Sequence, residues 1–216
     1  MKVKHLAFTL AIAALALGGT VGATQASASA FVVKVGVADV VPQSNTGSIL
    51  GGAASLDIGN SVRPSITGEF MITPNLGVEL LAAWPFRNTI KATSPALGLK
   101  GDKVATVDVL PPTLSLQWHF LPDKTVSPFI GVGVNYTIMF DEDTNIGPLA
   151  GNNVDIDNSW GVAAHVGVDF NLEKNWLITA DLRWIQMRND VKLNGAYAGT
   201  VDVNPWVWGL SVGYRF

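Results

Sequence analysis

His119 and His165, with Lys34, Glu69, Glu79, Asp169, Asp181, Arg183 and Arg215, are the side chains that could carry acid–base, metal or ionic chemistry. A hydrolytic serine needs a base within hydrogen-bond reach and usually an acid to orient that base. Ser115 stands a step of the pleat too far from His119, and no nucleophile motif surrounds it. The chain's 3 histidines are far apart and form no tight ligand cluster. With no cysteine there is neither a disulfide framework nor a thiolate metal site. No metal, no cofactor and no enzymatic activity are expected. Asp141-Glu142-Asp143 could attract a divalent ion, but a short acidic run is usually just solvated. The chemistry left is ionic pairing, and it depends on which of these groups face each other.

The elements that position them are strands. From Asn204 to Phe216, Trp206, Trp208, Leu210, Val212, Tyr214 and Phe216 fall on one face at period two. Val207, Gly209, Ser211, Gly213 and Arg215 fall on the other, so one face seeks oil and the other small or polar neighbours. The same alternation predicts strands over 31–38, 62–72, 76–84, 113–120, 130–140, 159–170 and 176–185, about eight in all. Short turns at Pro74, Pro122 and Glu173 alternate with long connections near 42–61, 87–105, 141–157 and 189–203, read as loops rich in Gly, Asn and Asp. Both chain ends fall on the short-turn side. Short turns at one end and long loops at the other are the habit of outer-membrane barrels.

Composition agrees. Charged residues make up 14% of the 216, against about 25% in soluble domains. Mean hydropathy is only +0.31, and no apolar run after the N-terminus is long enough for a membrane helix. At the N-terminus Lys2, Lys4 and His5 precede the apolar run Leu6 to Leu17, and Ala28-Ser29-Ala30 offers a cleavage site. This reads as a signal peptide over 1–30, removed to leave one domain, 31–216. The formal charge is −3, and loss of Lys2 and Lys4 makes the mature chain more acidic, which speaks against nucleic-acid binding.

Alternation alone does not say which face meets oil, since a soluble lipocalin-like barrel has the same period. Here the apolar faces carry Trp, Tyr and Phe near strand ends, where a lipid girdle places them. The polar faces carry Gly, Ser, Thr and Ala rather than the Lys and Glu of a wet surface. The expected fold is therefore all-β: an eight-stranded antiparallel up-and-down transmembrane β-barrel in the bacterial outer membrane.

Two stretches resemble a known family. Leu110-Pro111-Pro112-Thr113-Leu114-Ser115-Leu116-Gln117-Trp118-His119-Phe120 resembles a strand of the OmpW family of small outer-membrane barrels. Ser127-Pro128-Phe129-Ile130-Gly131-Val132-Gly133-Val134-Asn135-Tyr136-Thr137 is similar to the family's next strand. Ser159-Trp160-Gly161, Gly167-Val168-Asp169 and the ending Gly213-Tyr214-Arg215-Phe216 fit as well. The resemblance implies an eight-stranded barrel whose narrow interior admits small hydrophobic molecules. It also implies roles in stress responses and as a bacteriocin receptor. Such a barrel is expected to contact outer-membrane lipid and lipopolysaccharide and to be inserted by the barrel-assembly machinery. Tyr214 and Phe216 would be its assembly signal.

Sorting inward residues by height gives a functional expectation independent of the resemblance. Leu81, Ala83, Pro85, Val109, Pro111, Met139, Ile185, Met187 and Val207 lie near the external end. Lys34, Glu69, Glu79, Gln117, His119, Asn135, His165, Asp169, Asp181, Arg183 and Arg215 lie lower. Buried charges of both signs should pair. The lower network could simply fill a narrow barrel. It could also be the floor of an apolar funnel: a hydrophobic solute would enter from above, meet the charges, and leave sideways into the membrane. Pro64, Pro85, Pro111 and Pro112 lie near upper strand ends and lack the N–H of a full ladder; they could open such a gap or merely end strands. An alternative role is a surface receptor or structural barrel, with the loops meeting a bacteriocin, a phage or a host.

Overall fold

The computed structural model describes residues 31–43, 47–49, 54–95, 98–143, 153–172 and 175–216. The stretch read as a signal peptide lies outside them. The described strands are β1 (Phe31–Val41), β2 (Gly47–Ile49), β3 (Ala54–Ile58), β4 (Ser61–Met71), β5 (Leu76–Ala83), β6 (Phe86–Ser94), β7 (Leu99–Leu110), β8 (Thr113–His119), β9 (Val126–Asp143), β10 (Val154–Ile156), β11 (Ser159–Asn171), β12 (Trp176–Ile185), β13 (Arg188–Leu193), β14 (Ala196–Asp202) and β15 (Trp206–Arg215).

Eight of them close an antiparallel ring. The order is β1, β4, β5, β8, the lower part of β9, β11, β12 and β15, with β15 returning to β1. Closure leaves no strand edge, the condition a sheet must meet to cross a bilayer. Along β8 the burial alternates strictly: Thr113, Ser115, Gln117 and His119 are buried, while Leu114, Leu116 and Trp118 are exposed. The exposed side is thus the apolar one, the inverse of a soluble barrel. Trp84, Trp160 and Trp206 mark the upper edge of this belt; Trp118, Trp176 and Phe216 mark the lower. Tyr136 packs on Trp160 at 4.6 Å above, and Trp176 on Tyr214 at 5.1 Å below. Rings at two levels fit the two headgroup layers.

The lower rim is tied by asparagines in its turns. Asn75, Asn171 and Asn175 donate through Nδ2 to the carbonyls of His119, Lys124 and Arg215, each at 2.6 Å. The chain ends meet there too, where Phe216 N donates to Phe31 O at 2.9 Å.

The four long connections are not plain loops. Most of their described residues are strands that carry the wall upward in the order β10-β13-β14-β2-β3-β6-β7-β9, following the ring below. Among the described residues no ladder joins upper β9 to β10. Asn194 (φ 50°) and Gly195 (φ 81°) make the β13–β14 turn, both in the left-handed region that a tight hairpin demands. Bulges interrupt β6–β7 and β13–β14.

A waist separates the two levels. Every strand column except β9 breaks there: at Pro42, Gly59-Asn60, Trp84-Pro85, Pro111-Pro112, Asp157-Asn158, Gln186-Met187 and Val203-Asn204-Pro205. Side chains replace some lost ladder bonds. Met187 N donates to Asn204 Oδ1 at 3.0 Å, Met139 N to Asn158 Oδ1 at 2.8 Å, and Arg63 Nε to Pro85 O at 3.2 Å.

Candidate functional site: a polar plug beneath an apolar chamber

Below the waist, inward side chains from seven of the eight ring strands, all but β15, meet on the barrel axis. Glu69 on β4 is central. Its Oε1 is 2.7 Å from His119 Nε2, and its Oε2 is 3.2 Å from Lys34 Nζ. Asp169 on β11 is 3.6 Å from the same Lys34 and 3.5 Å from His119 Nδ1, and it accepts from Thr179 Oγ1 at 2.5 Å. Lys34 Nζ therefore pairs by charge with two carboxylates, although neither contact has hydrogen-bond geometry. Arg183 on β12 reaches across to Glu79 Oε1 at 2.6 Å and Ser115 Oγ at 3.3 Å. Gln117 links the two histidines, lying 3.3 Å from His119 and 3.2 Å from His165.

The rings and the backbone leave little free space. Phe129 packs against His119 at 5.4 Å and His165 at 5.9 Å, with Lys34 Nζ 5.3 Å from its centroid. A Cβ on Gly77 would strike Glu69, and one on Gly131 would strike the His165 imidazole. Those two glycines are thus small because long polar side chains lie across them. Ser115, the candidate nucleophile, bonds to Arg183, while His119 Nε2 is held by Glu69 and Gln117.

Of the residues assigned to the floor, Lys34, Glu69, Glu79, Gln117, His119, His165, Asp169 and Arg183 come together here. Two stand apart. Asp181 is half-buried beside Gly209, and Arg215 sits at the lower rim, donating to Asn171 Oδ1 at 3.2 Å. Phe129 belongs to the plug although a ring carries no polar mark in the sequence. Its parity with Gly131 was the available signal.

Just above, Thr113, Asn135 and Thr137 form a fully buried polar layer. Asn135 Nδ2 donates to Thr113 Oγ1 at 3.0 Å and to Pro112 O at 3.1 Å, and Thr137 Oγ1 donates to Asn135 Oδ1 at 2.7 Å.

Above the waist the interior changes. The upper strands surround a cavity of about 80 Å³ whose wall, among the described residues, is apolar but for Asn88 and Asn189. A water needs roughly 10–15 Å³ on this measure, so a solute of several heavy atoms fits. Val109, Pro111, Met139 and Met187 line it. Ala83, Ile185 and Val207 belong to the same apolar cluster without bordering the cavity. Leu81 is half-buried on β5, pairing with Thr113 and Thr67.

Pro85 is a correction: strict alternation along β5 puts it inward, but the break at Trp84-Pro85 shifts the parity by one. Phe86 takes the inward place, 2% exposed, and Pro85 offers its carbonyl to Arg63. Much of the rest of the chamber, including Ile90, Val104, Ile156 and Val201, comes from segments read as loops. The acidic run Asp141-Glu142-Asp143 ends β9, and its side chains lie outside the described residues.

Comparison with known proteins agrees with this architecture. A sequence model described as "OmpW family" matches residues 27–216. Outer membrane protein W of Salmonella typhimurium is 39% identical over 97% of this chain and 99% of its own. The crystal structure of outer membrane protein OprG from Pseudomonas aeruginosa superposes with a TM-score of 0.76 at 30% identity, covering 86% of this chain and 95% of that one. More distant, at 24% identity over 89% of this chain and 92% of its own, is the dibenzothiophene metabolism operon protein PahQ of Pseudomonas aeruginosa.

Proposed function

The chain belongs to the OmpW family and is an outer-membrane β-barrel, and from that premise we propose that it passes small hydrophobic molecules from the outside into the membrane. The observation that carries this reading is the apolar chamber stacked on a charged plug across the thin Thr113–Asn135–Thr137 layer. A solute burying about 100 Å² in the chamber gains roughly 2.5 kcal/mol at ~25 cal/mol per Å². Going down would require stripping water-like partners from Lys34, Glu69, Glu79, Asp169 and Arg183, at a cost that an apolar solute cannot offset. The way on is sideways. PahQ, a relative, is named for an operon that metabolises dibenzothiophene, a flat apolar molecule, which supports the substrate class.

The exit we assign is the seam between β4 and β5 at the waist. Trp84 N donates to Pro64 O at 2.9 Å, but Pro64 has no N–H to return the second bond of the pair. Beyond it the seam is spanned by Arg63 reaching Pro85. Its outer side opens at the upper belt, where Trp84 is exposed. No catalytic role is part of this reading, because Ser115 and His119 are each committed to other partners.

Uptake of a fluorescent apolar solute into proteoliposomes tests both parts. Met139→Asp should reduce uptake about tenfold with the barrel still folded, since a carboxylate in the chamber must be desolvated. A disulfide between Ser65→Cys and Ala83→Cys, the next pair along this seam, should block delivery to lipid, and reduction should restore it. Uptake indifferent to Met139→Asp would end the chamber reading; uptake indifferent to the disulfide would end this exit alone.

A further inference from the structure

The two asparagines in the chamber wall are the exception to its chemistry. Asn189 on β13 is 1% exposed and Asn88 on β6 is 7% exposed, and both border the cavity. Asn189 Nδ2 donates to Asp157 O at 2.8 Å. That bond fixes the amide's orientation, so its Oδ1 is the acceptor left over. Among the described residues, neither Asn189 Oδ1 nor Asn88 Oδ1 has a hydrogen-bond partner. In the upper wall β13 and β6 are four steps apart, separated by β14, β2 and β3, so the two amides stand on opposing sides.

A buried acceptor without a donor is costly, and a wall built only to hold hydrocarbon would do better with Val or Leu. Among the described residues the cavity lining has no acidic side chain, so a cationic head would find no counter-charge among them. A carboxylate would set its own oxygens against the amide oxygens. We infer that the chamber selects neutral amphiphiles, molecules with an apolar body and one hydrogen-bond-donating head such as a primary alcohol, by offering that head Asn189 Oδ1 or Asn88 Oδ1. This rests on the proposed reading of the chamber as a solute site. It goes further by naming the functional group recognised.

Three probes of similar size separate the possibilities: 1-octanol, heptyl methyl ether and n-nonane. The ether keeps the oxygen and loses the donor; nonane loses both. Protein-dependent partition into proteoliposomes of the full chain is measured against protein-free vesicles. The wild type should hold octanol about tenfold more tightly than the ether, the effect of one buried hydrogen bond. In Asn189→Leu and Asn88→Leu that preference should shrink toward unity while nonane binding strengthens, which also shows that the chamber is formed. If one variant fails to bind nonane, the other decides. Nonane bound by the wild type with no preference for octanol over ether overturns this inference and leaves the chamber reading standing. A preference that survives both substitutions overturns it too. If none of the three probes binds the wild type, the chamber reading falls along with it.

Discussion

Below the waist and above it, the same strand columns run in the same order, yet they enclose opposite interiors. The lower axis holds two charged groups, Lys34 with Glu69 and Asp169, and Arg183 with Glu79. The upper one holds an apolar cavity with two amides. The outer surfaces are reversed as well: exposed Leu116, Val132 and Trp208 below; exposed Arg87, Lys91 and Lys103 above. Each level is coherent on its own. Where lipid covers the outside, the apolar residues must face out and the lumen receives what is left. Where water covers the outside, the sheet can bury its apolar residues inward as a soluble barrel does. The waist is where one rule gives way to the other, and a column can shift parity there, as it does at Trp84-Pro85.

The contrast can be broken from either side. The largest effect should come from Glu69→Ala, which takes a carboxylate from both Lys34 and His119. Leaving a buried cation short of its partner costs about 3–5 kcal/mol, read as a lower urea midpoint for unfolding in lipid. Phe86→Ala should cost less than the ~3–5 kcal/mol usual for a filled core, because its ring already borders open space. The same variant should admit bulkier solutes in the uptake assay. Gly131→Val pushes a side chain into the His165 ring and should destabilise by about 1–3 kcal/mol in the same titration, a packing effect confined to the plug. The smallest effect is expected from Lys192→Met in the upper wall. Lys192 bonds Asp157 at 2.8 Å, which raises its pKa, but the pair is open to solvent. Screening should leave the unfolding midpoint unmoved, whereas a large shift would mean that the upper sheet is held by ions rather than by its apolar interior.

The eight membrane strands were legible because lipid and lumen differ so sharply that period two survives along each of them. The floor residues were legible for the same reason: parity alone sends Glu69, Gln117, His165 and Arg183 to one side. The upper strands were not. Bulges in β6–β7 and β13–β14 break their period, and polar outward residues such as Thr89, Lys91 and Thr93 read as loop. One signal was there to be used: Asn194-Gly195 between alternating segments is a strong hairpin mark.

The sequence by itself determined which side of each membrane strand meets oil, since side-chain direction there follows from the two-residue repeat and nothing distant can reverse it. Only the tertiary structure decided which charges pair, that Phe129 packs between the histidines, and that four stretches read as loops join into a wall around an apolar chamber. Those depend on ladder register and on breaks in several columns meeting at one height. Both are set by contacts between residues far apart in the chain, such as Arg183 with Glu79 and Met187 with Asn204.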